Sequence, residues 1–208
     1  MSFQERWGAF PVLTTRRLVL RESGAEDATE FHRWVSDPEV TQYLSWEGET
    51  SLEETQKKLA ELRELFYRAF VLPWGITLKG DNRLIGRIRY YQFLGPNWSI
   101  GELGYELGKE NWNKGIMTEA IQAAVTFGFE QMPGLNRVQA TCDCANIASA
   151  KALTKAGLKE EGVLRDWGWN RATRAYRDHR MFSILRREYA RPEGAPPPFD
   201  LQWQKSRS

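Results

Sequence analysis

The chain has 208 residues, of which 41% are hydrophobic and 27% charged, a composition typical of globular rather than disordered proteins. Its 29 basic and 27 acidic residues leave a net charge of +2, and no basic run predicts a nucleic-acid-binding surface. No segment approaches the roughly 18 apolar residues of a membrane span, and the start lacks the apolar stretch of a signal peptide. We therefore expect a cytoplasmic protein with neither a membrane nor a nucleic-acid partner.

The N-terminal part of the sequence predicts one strand followed by two helices. The strand is expected over residues 14–21, which include the apolar segment Leu18 to Leu20. A capping box of Ser23 and Glu26 predicts the start of the first helix. A second box, Ser51 with Glu54, predicts a longer helix that continues to about residue 70.

The rest of the chain predicts three strands in a meander and then two helices that alternate with three further strands. The expected strands are 74–78, 83–93, 100–107, 137–143, 158–165 and 175–185, and the expected helices are 114–131 and 146–156. This order predicts an α+β fold with a mostly antiparallel sheet. We assign residues 1–13 to an N-terminal extension, 14–190 to the domain and 191–208 to a Pro-rich mobile tail. Docking of that tail through Phe199, Leu201 and Trp203 remains an alternative.

The two cysteines, Cys142 and Cys144, are one residue apart. On an extended segment both side chains point to the same face, where a disulfide between them would be strained. They are predicted to be free thiols in a reducing compartment. Two sulfurs without a nearby histidine make a poor metal site, and no metal is expected.

A strand-to-helix junction carries the strongest chemical signal in the sequence. The strand ending at Leu107 is followed by a short polar loop and by a helix that begins near Lys114 and Gly115. The first turn of a helix presents unpaired N–H groups and a partial positive charge, which together bind phosphate or pyrophosphate. Gly115 would allow close approach to the backbone, and Thr118 could add a hydroxyl donor. The pattern alone also fits an ordinary strand-to-helix turn.

Ten short motifs in a fixed order give this junction a context. They are LTTRRLVLR (13–21), SDPEV (36–40), RLIGRI (83–88), GELGYEL (101–107), WNKGIMTEA (112–120), LNRV (135–138), ANIAS (145–149), KAGL (155–158), EGVLR (161–165) and AYRDH (175–179). On these motifs the chain resembles the GNAT superfamily of N-acetyltransferases over about residues 14–190. Within that superfamily it resembles the ribosomal-protein N-terminal acetyltransferases that act on alanine or serine.

The resemblance implies a single mixed sheet, twisted and mostly antiparallel, with helices on both faces. Acetyl-CoA would lie between two splayed parallel strands, and its pyrophosphate would meet the loop at Trp112 to Met117. The loop keeps Gly115 but has Trp112 and Met117 where the family's motif has Gln or Arg and Gly or Ala. The residues that we expect at the donor are Tyr105, Leu107, Trp112, Asn113, Lys114, Gly115, Ile116, Met117, Thr118, Asn146, Ser149 and Leu153.

The resemblance places Ser149 near the thioester sulfur as a candidate general acid, although Ser149 could equally serve as a second helix cap. Many family members carry a tyrosine acid at the position of Leu153, which this chain lacks. Glu106 is the tentative general base, because it lies on the strand that borders the cleft; Asp143 and Asp178 are weaker candidates. His32 and His179 are expected to be structural.

The expected reaction is direct transfer of an acetyl group from acetyl-CoA to a primary amine within a ternary complex. A protein or peptide α-amine is the favoured acceptor, because it needs little help from a base. Two alternatives remain open, a small amine such as a polyamine, antibiotic or amino acid, and a non-catalytic acyl-CoA-binding module. Trp167 and Trp169 are candidates for the acceptor pocket. The protein is expected to be a monomer or a homodimer.

Overall fold

The structure is a computed structural model that describes residues 7–44, 51–68, 71–189 and 199–204. These residues form nine strands: β1 (Phe10–Thr14), β2 (Leu18–Arg21), β3 (Leu72–Leu78), β4 (Asp81–Leu94), β5 (Ile100–Leu107), β6 (Arg137–Asp143), β7 (Lys159–Asn170), β8 (Ala175–Leu185) and β9 (Asp200–Gln204). They also form five α-helices: α1 (Ala28–Val35), α2 (Pro38–Thr41), α3 (Leu52–Arg68), α4 (Ile116–Gln131) and α5 (Ile147–Lys155).

All nine strands belong to one sheet in the order β7-β8-β6-β5-β4-β3-β2-β1-β9. Every neighbouring pair is antiparallel except β5 and β6, which are parallel. The parallel pairing covers only the residues from Ile100 to Glu102 on β5, opposite residues 137–139 on β6. Beyond Glu102 the two strands separate. The single parallel pair therefore opens into a V within an otherwise antiparallel sheet, as the predicted fold requires.

Helices cover both faces of the sheet, as two side chains that point to opposite faces of β4 show. Tyr90 is fully buried and donates a hydrogen bond from its hydroxyl to the carbonyl of Ala124 in α4, at 3.0 Å. Arg87 points to the other face, where its guanidinium lies 4.9 Å from the ring centroid of Phe31 in α1. Since successive residues of a strand face opposite sides, α4 and α1 lie on opposite faces of the sheet. The predicted α+β fold is confirmed.

The helix boundaries follow local capping signals. At α3, the Ser51 hydroxyl accepts from Glu54 N at 3.2 Å and the Glu54 carboxylate accepts from Ser51 N at 3.3 Å, so the predicted capping box forms. The box expected from Ser23 and Glu26 does not form there. Instead, Asp27 accepts from Gly24 N at 2.9 Å, and a short 3₁₀ turn precedes α1. The cap therefore lies one residue later than the sequence predicts.

The sheet extends past both predicted limits of the domain. β1 lies mostly within the segment assigned to an N-terminal extension, and β9 lies within the segment assigned to a mobile tail. β9 pairs antiparallel with β1 across five residue pairs. Phe199 is buried with 4% exposure, and Trp203 packs on Trp7 with ring centroids 5.7 Å apart. Aromatic burial thus holds residues 199–204 on the sheet edge; residues 190–198 lie outside the described residues.

Candidate active site

The V between β5 and β6 opens into a cavity of about 500 Å³. Its walls come from the end of β5, the loop after β5 with the first turn of α4, the first turns of α5, and the α2 region. The lining includes Glu39, Gln42, Tyr43, Tyr105, Glu106, Leu107, Trp112, Asn113, Gly115, Ile116, Met117, Thr118, Asn146, Ser149, Lys151, Ala152 and Lys155. Ten of the twelve residues predicted to meet the donor therefore line one cavity. Lys114 and Leu153 are the exceptions.

The N-terminus of α4 forms one end of the cavity. Gly115 is the N-cap residue and has a φ of +71°, a left-handed conformation that glycine adopts without steric cost. Asn113, two residues earlier, also has a positive φ of +59°. These turns direct the chain so that the unpaired N–H groups of the first helical turn meet the cavity. An anion of the size of a phosphate group fits this arrangement.

Trp112 occupies the first place of the loop and lines the cavity, but its one polar group is used within the protein. Its indole N–H donates to the carbonyl of Leu107 at 2.7 Å, and its ring packs between the two clusters of core side chains. Lys114 is directed away from the lining, and its ammonium donates to the carbonyl of Glu110 at 2.6 Å. The indole has a single donor, so Trp112 has none left for a ligand.

The N-terminus of α5 forms the second wall. The Asn146 side chain accepts from Ser149 N at 3.0 Å, so the predicted N-cap is present. The Ser149 hydroxyl does not serve as a second cap; it lies 2.7 Å from the hydroxyl of Tyr105 on β5. Burial raises the pKa of Tyr105, so its phenol keeps its proton. Two neutral hydroxyl groups therefore face the gap between the strands.

The structure corrects the expectation for Leu153 and adds two lysines. Leu153 has no exposed surface because its face of α5 packs on the sheet. The opposite face carries Lys151 and Lys155, which line the cavity one helical turn apart. Their i, i+4 spacing in the sequence is the signal that could have identified them.

A family model described as "Acetyltransferase (GNAT) domain" matches residues 17–159 of the chain. The chain belongs to the GNAT acetyltransferase family. It is an acetyl-CoA-dependent N-acetyltransferase, as the family and the cavity between the splayed strands both indicate.

Related proteins match most of this acetyltransferase. An uncharacterized N-acetyltransferase, p20 of Bacillus licheniformis, is 33% identical over 178 residues, which are 86% of this chain and 98% of that protein. The ribosomal protein uS5-alanine N-acetyltransferase of Escherichia coli is 24% identical over 161 residues, covering 74% and 81% of the two chains. The crystal structure of a GNAT-family acetyltransferase from Bacillus anthracis has a TM-score of 0.74 and 27% identity, and the match covers 85% of this chain and 99% of that one.

Glu106 is a structural carboxylate of the acetyltransferase and a poor general base. It accepts from Arg87 Nε at 3.1 Å and from Arg89 Nη1 at 2.7 Å, and it is 5% exposed. Burial alone would raise the pKa of Glu106, but the charges of Arg87 and Arg89 outweigh that effect and lower it to about 2. A carboxylate with this pKa and these partners has little tendency to take a proton at neutral pH. The expectation that Glu106 is the base is therefore not supported.

The weaker candidates for a base are also engaged elsewhere. Asp143 lies 3.3 Å from Arg177 Nε, and Asp178 accepts from Asp166 N at 2.9 Å. His179 is the neighbour of Asp143 on β8 and does not line the cavity, and burial lowers its pKa. His32 lies 2.9 Å from the Thr55 hydroxyl, between α1 and α3. Both histidines therefore take the structural positions that the sequence predicts.

The side of the cavity away from α4 is formed by α2 and the chain after it. Glu39, at the exposed rim, pairs with Lys109, while Gln42 and Tyr43 line the wall. The Gln42 carbonyl accepts from Asn170 Nδ2 at 2.8 Å, and Asn170 is buried at the end of β7. This bond fixes the β7–β8 hairpin beside the cavity mouth.

The predicted tryptophans of the hairpin lie outside the cavity lining. Trp167 is 55% exposed and Trp169 44%, and the Trp169 ring packs edge-on against Tyr176 at 5.2 Å. They form an exposed aromatic surface on the hairpin that Asn170 bonds to Gln42, rather than a wall of the pocket.

Three further expectations concern the cysteines, metal ions and membrane spans. Cys142 and Cys144 are both free thiols, and burial raises the pKa of Cys142 to about 11. Among the described ranges no three His, Cys, Asp or Glu side chains are grouped as metal ligands would be, and metal-free chemistry stays a prediction. No helix in the described part of the chain is long and apolar enough to cross a bilayer.

Proposed function

We propose that this acetyltransferase acts on the α-amine of a polypeptide. The observation that carries the proposal is the state of the carboxylates in the cavity. Among the described lining residues they are Glu39 and Glu106, and Glu106 is held by two arginines. Glu39 is exposed at the rim and paired with Lys109. Neither is placed as a strong base, so the site suits an acceptor that reaches it already deprotonated.

Ordinary pKa values decide between the two kinds of protein amine. An α-amine with a pKa of about 7.7–8.0 is roughly 10–17% neutral at pH 7, whereas a lysine with a pKa of about 10.4 is roughly 0.04% neutral. The difference is about 2.5 pKa units, or roughly 3.4 kcal/mol of barrier that a lysine acceptor would need a base to offset. The scarcity of a base therefore favours the α-amine.

In the proposed complex the donor's thioester lies in the V and its pyrophosphate lies at the N-terminus of α4. Lys151 and Lys155 face the same cavity and add positive charge beside the phosphates. The edge of β5 that faces β6 is unpaired beyond Glu102 and offers its backbone to the donor. Backbone N–H groups at this edge stabilise the negative charge that develops on the thioester oxygen during attack.

Ser149 and Tyr105 act on the leaving sulfur in this proposal. As the amine bonds to the carbonyl carbon and the carbon–sulfur bond breaks, the sulfur gains negative charge. The two hydroxyl oxygens lie 2.7 Å apart and either can donate; with Tyr105 as the donor, the Ser149 proton is directed at the sulfur. The leaving thiolate accepts a hydrogen bond and then the proton of Ser149; Ser149 takes a proton from Tyr105, and Tyr105 regains one from water. The proton released by the amine passes to water.

The surface beside the mouth supports a polypeptide acceptor rather than a small amine. Trp167, Trp169 and Tyr176 expose 44–61% of their surface on the hairpin that Asn170 bonds to Gln42, on the α2 side of the cavity. Exposed aromatic side chains are common where a protein binds another chain. The Escherichia coli relative is named for acetylating an alanine of a ribosomal protein, which is consistent with such an acceptor.

The test measures CoA release with three acceptors: a lysine-free peptide with a free α-amine, its N-formylated analogue carrying one lysine, and spermidine. We expect turnover with the first alone. The kcat/KM should rise with pH and level off near the pKa of the peptide amine, about 8. Preferential turnover of the lysine peptide or of spermidine would contradict the proposal.

A further inference from the structure

We propose that Arg17 binds the donor's pyrophosphate from outside the α4 loop, which deepens the donor site proposed above and rests on it. Arg17 lies between β1 and β2, about one hundred residues from the loop in sequence. The family motif quoted above contains it, but nothing in the sequence assigned it a role. Two hydrogen bonds of its guanidinium and one of its backbone N–H hold Arg17 against the N-terminus of α4.

The first two contacts come from Glu119, in the first turn of α4. Arg17 Nε donates to Glu119 Oε2 at 2.6 Å, and Arg17 N donates to Glu119 Oε1 at 2.9 Å. The Thr15 hydroxyl also donates to Glu119 Oε1, at 2.6 Å. Burial alone would raise the pKa of Glu119, but Thr15 and Arg17 outweigh it and lower that pKa. The carboxylate is therefore ionised and fixes the direction of the arginine.

The third contact is to the loop itself. Arg17 Nη1 donates to the carbonyl of Lys114 at 2.8 Å. Nη2 then lies 3.5 Å from the point where a side chain on Gly115 would begin. This nitrogen has no hydrogen-bond partner in the described part of the chain, and the side chain is 37% exposed. A charged donor thus lies directly beside the glycine that caps α4.

The side chains of the loop itself do not provide the hydrogen-bond donor that Arg17 can offer to a phosphate. The indole N–H of Trp112 is used by Leu107, and the ammonium of Lys114 donates to Glu110. The loop's first side chain therefore offers no group to an anion. A guanidinium matches the geometry of phosphate oxygens and keeps its charge at any physiological pH. Arg17 supplies, from the turn between β1 and β2, the cationic hydrogen-bond donor that Trp112 does not.

The experiment compares a ligand that carries phosphates with one that carries none. The affinity of wild type, Arg17→Gln, Arg17→Lys and Arg16→Gln is measured for CoA by calorimetry and for pantetheine by ligand-observed NMR. Arg16 is the exposed neighbour of Arg17 and is a matched control for loss of one charge. Arg17→Lys keeps the charge opposite Glu119, so it preserves the fold if Arg17→Gln does not.

We expect both Arg17 variants to raise the Kd for CoA about tenfold or more, since hydrogen bonds to charged groups are strong. The Kd for pantetheine should stay within twofold, and Arg16→Gln should change neither. Equal losses for CoA and pantetheine would overturn the proposal, because Arg17 would then act only by shaping the loop. Unchanged CoA binding would overturn it as well. If the wild-type protein bound CoA no more tightly than pantetheine, the proposed donor site itself would be refuted. That result differs from the two outcomes that overturn the role of Arg17 alone.

Discussion

The two sides of the cavity are built in different ways. The side that we propose for the donor consists of backbone at the end of one strand and at the N-termini of two helices, contributed by the segments 105–118 and 146–155. The side that we propose for the acceptor consists of α2, the residues after it and the adjacent β7–β8 hairpin, which meet through the bond between Asn170 and Gln42. The two sides join at β5.

In this proposal the donor side relies on backbone groups and the acceptor side on side chains. Backbone N–H groups bind phosphate whatever the neighbouring side chains are, so the donor side tolerates Trp112 and Met117. Acceptor recognition depends on which side chains stand at the mouth, because shape and charge there decide affinity. The four tests that follow separate groups that hold the two sides together from groups that act on one of them.

The largest loss of stability is expected when Glu106 is substituted, on β5 where the two sides of the cavity join. Glu106→Ala leaves Arg87 and Arg89 without their shared carboxylate, and Arg87 is only 4% exposed. Loss of one partner from a buried ion pair costs roughly 3–5 kcal/mol of unfolding free energy. Urea denaturation measures this loss. The control is Glu161→Ala, which removes a partly exposed partner of Arg137 and should cost no more than about 1 kcal/mol.

A stable Glu106→Ala variant that had lost turnover at saturating acetyl-CoA would contradict the structural role. Glu106 would then be the base after all.

Acid should destabilise the protein through the same carboxylate. The pKa of Glu106 falls from 4.5 to about 2 on folding, so its contribution is complete above about pH 4.5 and is lost as the pH falls towards 2. A shift of this size corresponds to roughly 3 kcal/mol. Glu161 has a similarly lowered pKa of about 2, but its side chain is 41% exposed and solvent screens it.

Unfolding free energies measured from pH 5 to pH 2.5 should therefore decline much less in Glu106→Gln than in wild type. Equal declines in the two proteins would assign the acid sensitivity to other groups.

Ser149→Ala should affect the chemical step on the donor side. Loss of the hydroxyl removes the hydrogen bond to the leaving sulfur, and kcat should fall about 100-fold while the Kd for CoA stays nearly constant. Tyr105→Phe should give a smaller loss, and the double variant little more than Ser149→Ala alone, because Tyr105 acts through Ser149. Steady-state rates and calorimetry measure both quantities. Additive losses in the double variant would show that the two hydroxyl groups act separately.

The smallest effect is expected at the acceptor surface. Trp167→Ala removes an exposed aromatic side chain from the hairpin and should raise the KM for a peptide acceptor about 5- to 10-fold. Neither the affinity for CoA nor the stability should change. Leu94→Ala, an exposed apolar residue at the end of β4, is the matched control. If both substitutions changed the KM equally, the hairpin would have no specific role in binding the acceptor.

The donor side could be predicted from the sequence because it lies in two short segments. The strand, loop and helix from Tyr105 to Thr118 are contiguous, and Asn146 is followed by Ser149 at capping distance. Local chemistry therefore brings these groups to one cavity, and their contact with the donor stays a prediction. Leu153 was misplaced because helix position alone does not say which face packs on the sheet, and here that face is fully buried.

Contacts between distant segments could not be predicted in this way. Arg87 and Arg89 stand opposite Glu106 and Gly104 only once β4 and β5 pair in their observed register. Because that register places both arginines beside Glu106, this residue is a structural carboxylate rather than a base. Arg17 reaches the α4 loop for the same reason. β9 joins the sheet with Phe199 buried, an outcome that the sequence left as an alternative to a mobile tail. Tertiary contacts, rather than local pattern, decide each of these roles.

The most direct test of the donor site is a thermal-shift titration with CoA. At a concentration 100 times the Kd, binding adds about 2.7 kcal/mol, which should raise the Tm of wild type by about 5–10 °C. Gly115→Asp should abolish the rise, because it places a carboxylate at the α4 N-terminus beside Arg17. Gly115→Asn has the same shape, tolerates the positive φ and carries no charge, so it should keep part of the rise. A full rise in Gly115→Asp would contradict the placement of the pyrophosphate at α4.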